Sequence, residues 1–255
     1  MLITILGTAT SQGIPVLGCK CEACSSNDPH DRRWRCSALI SQGDTNVVID
    51  VGPDFREQML RAKVYHLDAV VITHEHNDHV IGLDDLRPYI FMKRAPMPIY
   101  AEPRVIESIR QKFDYAFAEQ PYPGAPSFQL IPIKPNEQIV INDLKIMPLR
   151  VHHGVLPILG FRVGKMGYFT DANRFPNETI AALEGIDYLL IDALRNQPHH
   201  SHNTIQQAIE HIEKIRPNKS AHLIHMSHLL GPVSEWSKEL PEDVYAAYDG
   251  LQFEL

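Results

Sequence analysis

The eight residues Thr73–Val80, THEHNDHV, place three histidines and two acids within six positions, directly behind the apolar run LDAVVI (67–72). A short apolar run bounded by polar residues reads as a buried strand. A strand feeding a tight turn sends alternate side chains to one side, so His74 and His76 can grip one ion. Asp78 and His79, on the turn and at the start of the next helix, point toward a second position. Imidazole and carboxylate suit Zn, Mn, Fe or Ni better than Mg or Ca. Two such ions polarise a phosphoryl or carbonyl oxygen and supply hydroxide near neutral pH. A solvated polar loop would not explain why H-x-H-x-D-H follows a buried strand.

The rest of the chain alternates short β-rich runs with helical patterns. LITILG (2–7), SALIS (37–41) and NVVID (46–50) read as opening strands, and a helical segment follows from about 54 to 63. PIYA (98–101) leads to a helix over 103–112, opened by Pro103. The region 128–170 holds several strands, FQLIPI, QIVI, LKIMPLRV, LGFRV and GYFTD. Beyond it the pattern predicts a helix near 177–184, the strand DYLLID (187–192), a helix over 203–214, the strand AHLIH (221–225) and a last strand near 251–254. Two β-rich halves flanked by helices suggest an α/β fold, an αββα four-layer sandwich. With no repeat and no linker, residues 1–255 are expected to form a single domain. The segments 89–100 and 119–128 are expected to frame a pocket or a dimer contact.

Charge and cysteine usage narrow the class. A formal net charge of −7 argues against a protein that coats nucleic acid by bulk positive charge. No apolar run approaches the ~20 residues of a membrane helix, and the opening MLITILGTATSQG lacks the basic start of a secretory signal. A cytoplasmic location is therefore expected. Cys19, Cys21 and Cys24 fall within six residues, which suits a metal clip better than a disulfide framework. Three soft ligands need a fourth to close a tetrahedral zinc site. Cys36 is left over and is expected to pack as a small apolar residue.

The motif at 73–80 resembles the signature of the metallo-β-lactamase superfamily, whose fold is an αββα sandwich with metals at the edge between its sheets. That resemblance implies a later His, a bridging Asp and a last His. VHHGVLPILGF supplies His153, taken here over His152; YFTDAN supplies Asp171; HLIHMSH supplies His225. The first metal would take His74, His76 and His153, and the second Asp78, His79 and His225, with Asp171 between them. Asp50, in VVIDVG, matches a position that in this superfamily orients a metal-bound His. A turn-capping Asp before Gly52 is the alternative reading of that residue, of equal weight.

The clip C-x-C-x-x-C makes the chain similar to the PhnP-type phosphodiesterases of the carbon–phosphorus lyase pathway. In these the fourth ligand of the structural zinc is a His three residues beyond the last active-site His, which is His228 here. The resemblance runs from GTATSQGIPVLGCKCEAC through RRWRCSALI and IHMSHLLG to YDGLQFEL. It also implies a further His near the scissile phosphate. His199, His200 and His202 are the candidates, and alignment by motif favours His202 as the general acid. Asp78 and His202 are thus the expected catalytic residues.

The implied activity is hydrolysis of small cyclic phosphate esters, including ribose cyclic phosphates and 2′,3′-cyclic nucleotides, by a hydroxide held between two divalent metals, zinc or manganese, with nickel and iron also compatible. One structural zinc is expected in addition. A small phosphate ester is the implied partner, with no membrane and no stable nucleic-acid partner, and a homodimer is the family-like assembly. Three other readings share parts of the pattern. A tRNA 3′-processing nuclease would carry an extended arm, for which no Gly/Lys-rich insertion is present. A thioester or lactam hydrolase could use the same metal site. A non-catalytic metal protein similar to pyrroloquinoline-quinone biosynthesis protein B would have less reason to keep all seven ligands.

Overall fold

A computed structural model of the chain describes residues 1–255. The first half runs β1 (Leu2–Gly7), α1 (Glu22–Ser25), β2 (Ser37–Gln42), β3 (Thr45–Ile49), α2 (Phe55–Ala62), β4 (Ala69–Val71), α3 (Asn77–Val80), α4 (Arg87–Lys93), β5 (Met97–Ala101), α5 (Pro103–Lys112) and β6 (Phe128–Pro132). The second half runs β7 (Ile139–Ile141), β8 (Leu144–His153), β9 (Leu156–Val163), β10 (Met166–Phe169), α6 (Asn177–Ala182), β11 (Tyr188–Asp192), α7 (Ile205–Ile215), β12 (Ser220–Ile224), α8 (Val233–Trp236), β13 (Val244–Ala246) and β14 (Gln252–Glu254).

Two seven-stranded sheets result, ordered β14-β1-β2-β3-β4-β5-β6 and β13-β12-β11-β10-β9-β8-β7. Strand periodicity divides the apolar residues between two faces. Val47 and Ile49 face the opposite sheet, where Phe161, Tyr168 and Leu190 meet them, while Val48 and Val70 turn outward under Met59, Val105 and Ile109. On the far side, Leu189, Ile191 and Leu223 lie under Ala208, Ile212 and Ile215 of α7. Strands buried on both faces read as continuous apolar runs, which is why VVI and LLI carry no polar alternation. Each buried Val, Leu or Ile contributes roughly 1.5–3 kcal/mol relative to exposure. The architecture is the αββα sandwich.

Local signals set the elements that carry the site. Thr204 caps α7 with a reciprocal capping box to Gln207, which fixes the chain just before the helix, where His202 sits. Two elements depart from the expected pattern. The segment 89–100 divides into the end of α4 and strand β5, because Pro88 in the first turn of α4 opens a helix rather than breaking one. Strand β13 is three residues long, too short for a period to register.

β3, β4, β5 and β6 are parallel neighbours, as are β10, β11, β12 and β13. Asp50, His74, Asp171, Asp192 and His225 all lie at the carboxyl ends of these strands, the edge where open parallel sheets bind ligands. Asp50, Asp171 and His225 each adopt positive φ, at 61°, 57° and 58°. Left-handed backbone at non-glycine residues is held only where the surroundings over-determine it, and it clusters at functional sites.

Candidate metal centre

The site is built outward from Asp50. Its carboxylate is fully buried and accepts three hydrogen bonds: from Thr73 N at 2.8 Å, from Thr73 Oγ1 at 2.8 Å and from His79 Nδ1 at 2.7 Å. Thr73 Oγ1 lies 2.9 Å from His74 Nδ1. Since Thr73 donates its hydroxyl proton to Asp50, its oxygen accepts from His74 Nδ1–H. Both His74 and His79 therefore carry a proton on Nδ1 and turn Nε2 away from Asp50. The Asp50 carboxylate is thus spent on Thr73 and His79, the residues that flank and belong to the metal motif. Gly52 permits this geometry, because a Cβ there would lie 2.1 Å from the carbonyl oxygen of Asp78.

The remaining donor atoms converge. His79 Nε2 lies 3.2 Å from Asp78 Oδ2 and 3.2 Å from Asp171 Oδ2, and His225 Nε2 lies 3.1 Å from Asp171 Oδ1. Despite these short distances, His79 Nε2 and His225 Nε2 have no hydrogen-bond partner. Atoms this close yet not aligned as donor and acceptor point at a shared third position. Bonds of ~2.0–2.2 Å to nitrogen and oxygen put neighbouring ligand atoms about 2.8–3.6 Å apart, from octahedral to tetrahedral geometry, so the protein's donor set fits a divalent ion. Asp78, His79, Asp171 and His225 offer donor atoms all within 4.8 Å of one another. His74 Nε2 and His76 Nδ1 are 3.0 Å apart, and the His153 ring centroid lies 5.7 Å and 5.2 Å from theirs. His153 groups more tightly with Asp171 and His202, so the trio His74, His76 and His153 is the looser of the two.

Electrostatics point the same way. Burial holds His74, His76 and His153 below the usual imidazole range, which leaves them neutral with lone pairs to offer. Burial also opposes charge on His225, but Asp171 and Asp192 hold its pKa up at about 10. The same pull raises His79 against burial, through Asp78, Asp171 and Asp50. The buried carboxylates call for positive charge, and a divalent cation meets that demand while leaving the imidazoles neutral.

His153, and not His152, faces the centre. Its Nδ1–H donates to Ser201 O at 2.9 Å, leaving Nε2 free. The His202 ring stacks on His225, centroids 4.6 Å apart, and lies tilted against His153 at 4.5 Å. Its Nδ1 donates to Asp192 Oδ1 at 3.1 Å, while Asn203 N donates to Asp192 Oδ2 at 2.7 Å. His199 pairs with Ser201 and lies farther out, and His200 is at the rim. Asp192 is the residue that sequence reasoning missed. Its signal was available, since LLID ends a strand in Asp just as VVID and YFTD do.

Glu75 turns away from the centre, its carboxylate paired with Arg104 and its carbonyl with Lys112. Arg87 pairs with Asp84, and Tyr115 Oη donates to the same carboxylate, so Arg87 serves the fold. A hollow of about 610 Å³ opens over His76 and His153, bordered by Leu156, Asn173, Arg174 and His200. The segments 89–100 and 119–128 contribute nothing to its lining. The turn after β8 and the loop before α7 occupy that edge instead.

A second cluster lies apart. His228 Nδ1 sits 3.4 Å from Cys19 Sγ and 3.3 Å from Cys21 Sγ, and Cys24 completes a set of four donors within 4.8 Å of one another. Zn–S and Zn–N bonds of ~2.3 Å and ~2.0 Å put S and N about 3.5 Å apart in a tetrahedron, so this set fits zinc. Cys36 is fully buried in the inter-sheet core.

Residues 45–226 match the model of the β-lactamase superfamily domain. The chain belongs to the metallo-β-lactamase superfamily. Among solved structures, this superfamily member is similar to a diphosphatase of the PhnP family, with 37% identity, a TM-score of 0.92 and coverage of 99% of this chain and 96% of that one. A protein of Porphyromonas gingivalis called octanoyltransferase is 43% identical over 99% of this chain, which spans 51% of that protein's length. Zinc-bound PqqB from Methylobacterium extorquens shares the fold at a TM-score of 0.80 and 20% identity, over 100% of both chains. Fold and site together support a metal-dependent hydrolase. No helix is long and apolar enough to cross a membrane.

Proposed function

We propose that this superfamily member is a dinuclear metal-dependent phosphodiesterase that opens small cyclic phosphate esters, such as ribose cyclic phosphates and 2′,3′-cyclic nucleotides. The observation that carries the reading is the convergence of His79 and His225 on the two oxygens of Asp171, with Asp78 beside His79 Nε2 and His202 stacked on His225. His74, His76 and His153 would hold one ion and Asp78, His79 and His225 the other, with Asp171 shared. Zinc and manganese both suit these donors, while Cys19, Cys21, Cys24 and His228 would hold a structural zinc. When bound, such ions supply Lewis acidity toward phosphoryl oxygens and make water acidic enough to be a nucleophile near pH 7.

The chain's own groups supply the rest. Asp192 accepts from His202 Nδ1 and fixes the ring, so that Nε2 is the nitrogen that gives a proton to the departing oxygen. Arg174, on the lining of the hollow, offsets charge developing on the phosphoryl group. A small ester suits the hollow of about 610 Å³, within the roughly 300–1,000 Å³ of small-molecule sites. Neither a stable nucleic-acid partner nor a membrane enters this reading, and the assembly it expects is a homodimer.

A diphosphate is the second substrate class, favoured by the 37% identical neighbour described as a diphosphatase. The octanoyltransferase name belongs to a protein about twice as long, and acyl transfer is not part of the reading. Metal-loaded protein offered 2′,3′-cyclic AMP, ADP-ribose and an octanoyl thioester separates the classes. Turnover of the cyclic ester supports the proposal, and turnover of ADP-ribose alone moves it to anhydrides. Turnover of the thioester alone overturns it.

A further inference from the structure

Three arginines and Trp34 border a second hollow, of about 360 Å³, between the loop that follows β1 and helix α2. It shares no residue with the metal centre or with the hollow above it. Its lining contains Arg32, Arg33 and Arg61 and no acidic residue. None of the three arginines takes part in an ion pair within 4.0 Å, in a chain whose formal net charge is −7.

Arg33 decides the matter. Its side chain is buried, at 4% exposure. Nη1 donates to Thr8 Oγ1 and to Ala247 O, while Nη2 has no protein partner. Asp249, Asp31 and Asp28 are the carboxylates whose field reaches it, but none lies within ion-pair distance, and the buried Asp31 Oδ2 has no hydrogen-bond partner of its own. Asp31 Oδ1 accepts from Val233 N, and Asp249 accepts from Thr8 Oγ1 and Trp34 N. A guanidinium withdrawn from water with a donor unmet is unfavourable unless an anion completes it. Arg32 and Arg61 are exposed on the solvent side of the same hollow, and Arg61 lies over the Trp34 ring at 5.3 Å.

We propose that this hollow is a binding site for a small phosphate monoester. Arg33 is the buried anchor, Arg32 and Arg61 close on the phosphate from outside, and Trp34, Pro15 and Pro29 carry the organic part. Planar guanidinium forks match phosphate oxygens two at a time, and a dianion offsets three cations better than a single carboxylate does. The hollow exceeds what inorganic phosphate fills and falls at the small end of ligand sites, roughly 300–1,000 Å³. The site is independent of the proposed hydrolysis.

Trp34 and Trp236 are the two tryptophans of the chain, so Trp236→Phe makes Trp34 the sole indole reporter. Metal-loaded Trp236→Phe protein is titrated with AMP, ribose 5-phosphate and inorganic phosphate, and affinity is read from the midpoint of the emission change. A saturable response to the esters is expected, with inorganic phosphate weaker. Arg32→Ala and Arg61→Ala, both at exposed positions, should each weaken it roughly ten- to a hundredfold and leave hydrolysis unchanged. Asp171→Ala should keep the response. A flat titration, a response indifferent to both arginines, or one abolished by Asp171→Ala overturns the proposal. Equal affinity for inorganic phosphate and both esters overturns the assignment of an organic ligand.

Discussion

His79 Nδ1 and Asp50 Oδ2 are 2.7 Å apart, and neither side chain is more than 1% exposed. Through Thr73 the same carboxylate also orients His74. Asp50→Asn keeps the volume but loses the acceptor that sets both imidazoles. Metal affinity should fall roughly 10–100-fold, read by competition with a chromophoric chelator, while the circular dichroism spectrum stays unchanged. Wild-type affinity in Asp50→Asn would return this residue to a purely structural role.

The pair His202 and Asp192 makes a prediction about leaving groups. A general acid typically contributes about 10²–10⁴ in rate when the departing oxygen needs a proton. His202→Ala should therefore slow 2′,3′-cyclic AMP hydrolysis by that factor and bis(p-nitrophenyl) phosphate hydrolysis far less, since p-nitrophenolate leaves without protonation. Asp192→Asn should follow the same pattern more weakly. An equal loss on both substrates would mean that His202 acts through metal binding or packing.

The clip should separate from the catalytic centre. His228→Ala and Cys24→Ser each remove one of the four donors that join the loop carrying α1 to the segment following β12. The expected result is loss of the structural zinc and a lower melting temperature, with residual activity at low temperature close to wild type per folded molecule. Loss of the active-site metals with the clip intact would contradict the division into two sites.

Asp249 gives a pH signature. Burial pushes its carboxyl up to about 6, against the hydrogen bonds from Trp34 N and Thr8 Oγ1. An acid whose folded pKa is raised contributes stability below its unfolded pKa, near 4, and loses that contribution as pH rises toward 6. The contribution at stake is at most roughly 3 kcal/mol, from about two pKa units at 1.36 kcal/mol each. Asp249→Asn should flatten the dependence of melting temperature on pH between about 4 and 6. An unchanged slope would place the titration elsewhere.

The sequence carries the fold and the centre unevenly. The motif at 73–80 is legible because its ligands are consecutive and a buried strand precedes them. His153, Asp171 and His225 are single residues whose meaning comes only from the resemblance, since the chain brings them together across both sheets. Asp192 shares the strand-end pattern of Asp50 and Asp171 and was legible from it, whereas Thr73 escaped because its part is played through hydrogen bonds to other side chains, which leave no spacing to read. The pocket edge was misplaced for a similar reason. The apolar, proline-rich segments 89–100 and 119–128 look like a lip, whereas the lining comes from Asn173, Arg174 and His200 on other loops. The unpaired Arg33 reads in sequence as one more basic residue in RRWRC, and only its burial sets it apart.

The most direct test of the central claim is the metal content of purified wild-type and Asp171→Ala protein, measured by inductively coupled plasma mass spectrometry beside 2′,3′-cyclic AMP turnover. The account predicts that the wild type carries a pair of ions beyond the zinc of the clip. Asp171→Ala should keep the clip's zinc, lose the pair and lose turnover together. An Asp171→Ala protein that retains both ions and full turnover would contradict the shared role given to this carboxylate, and with it the dinuclear centre.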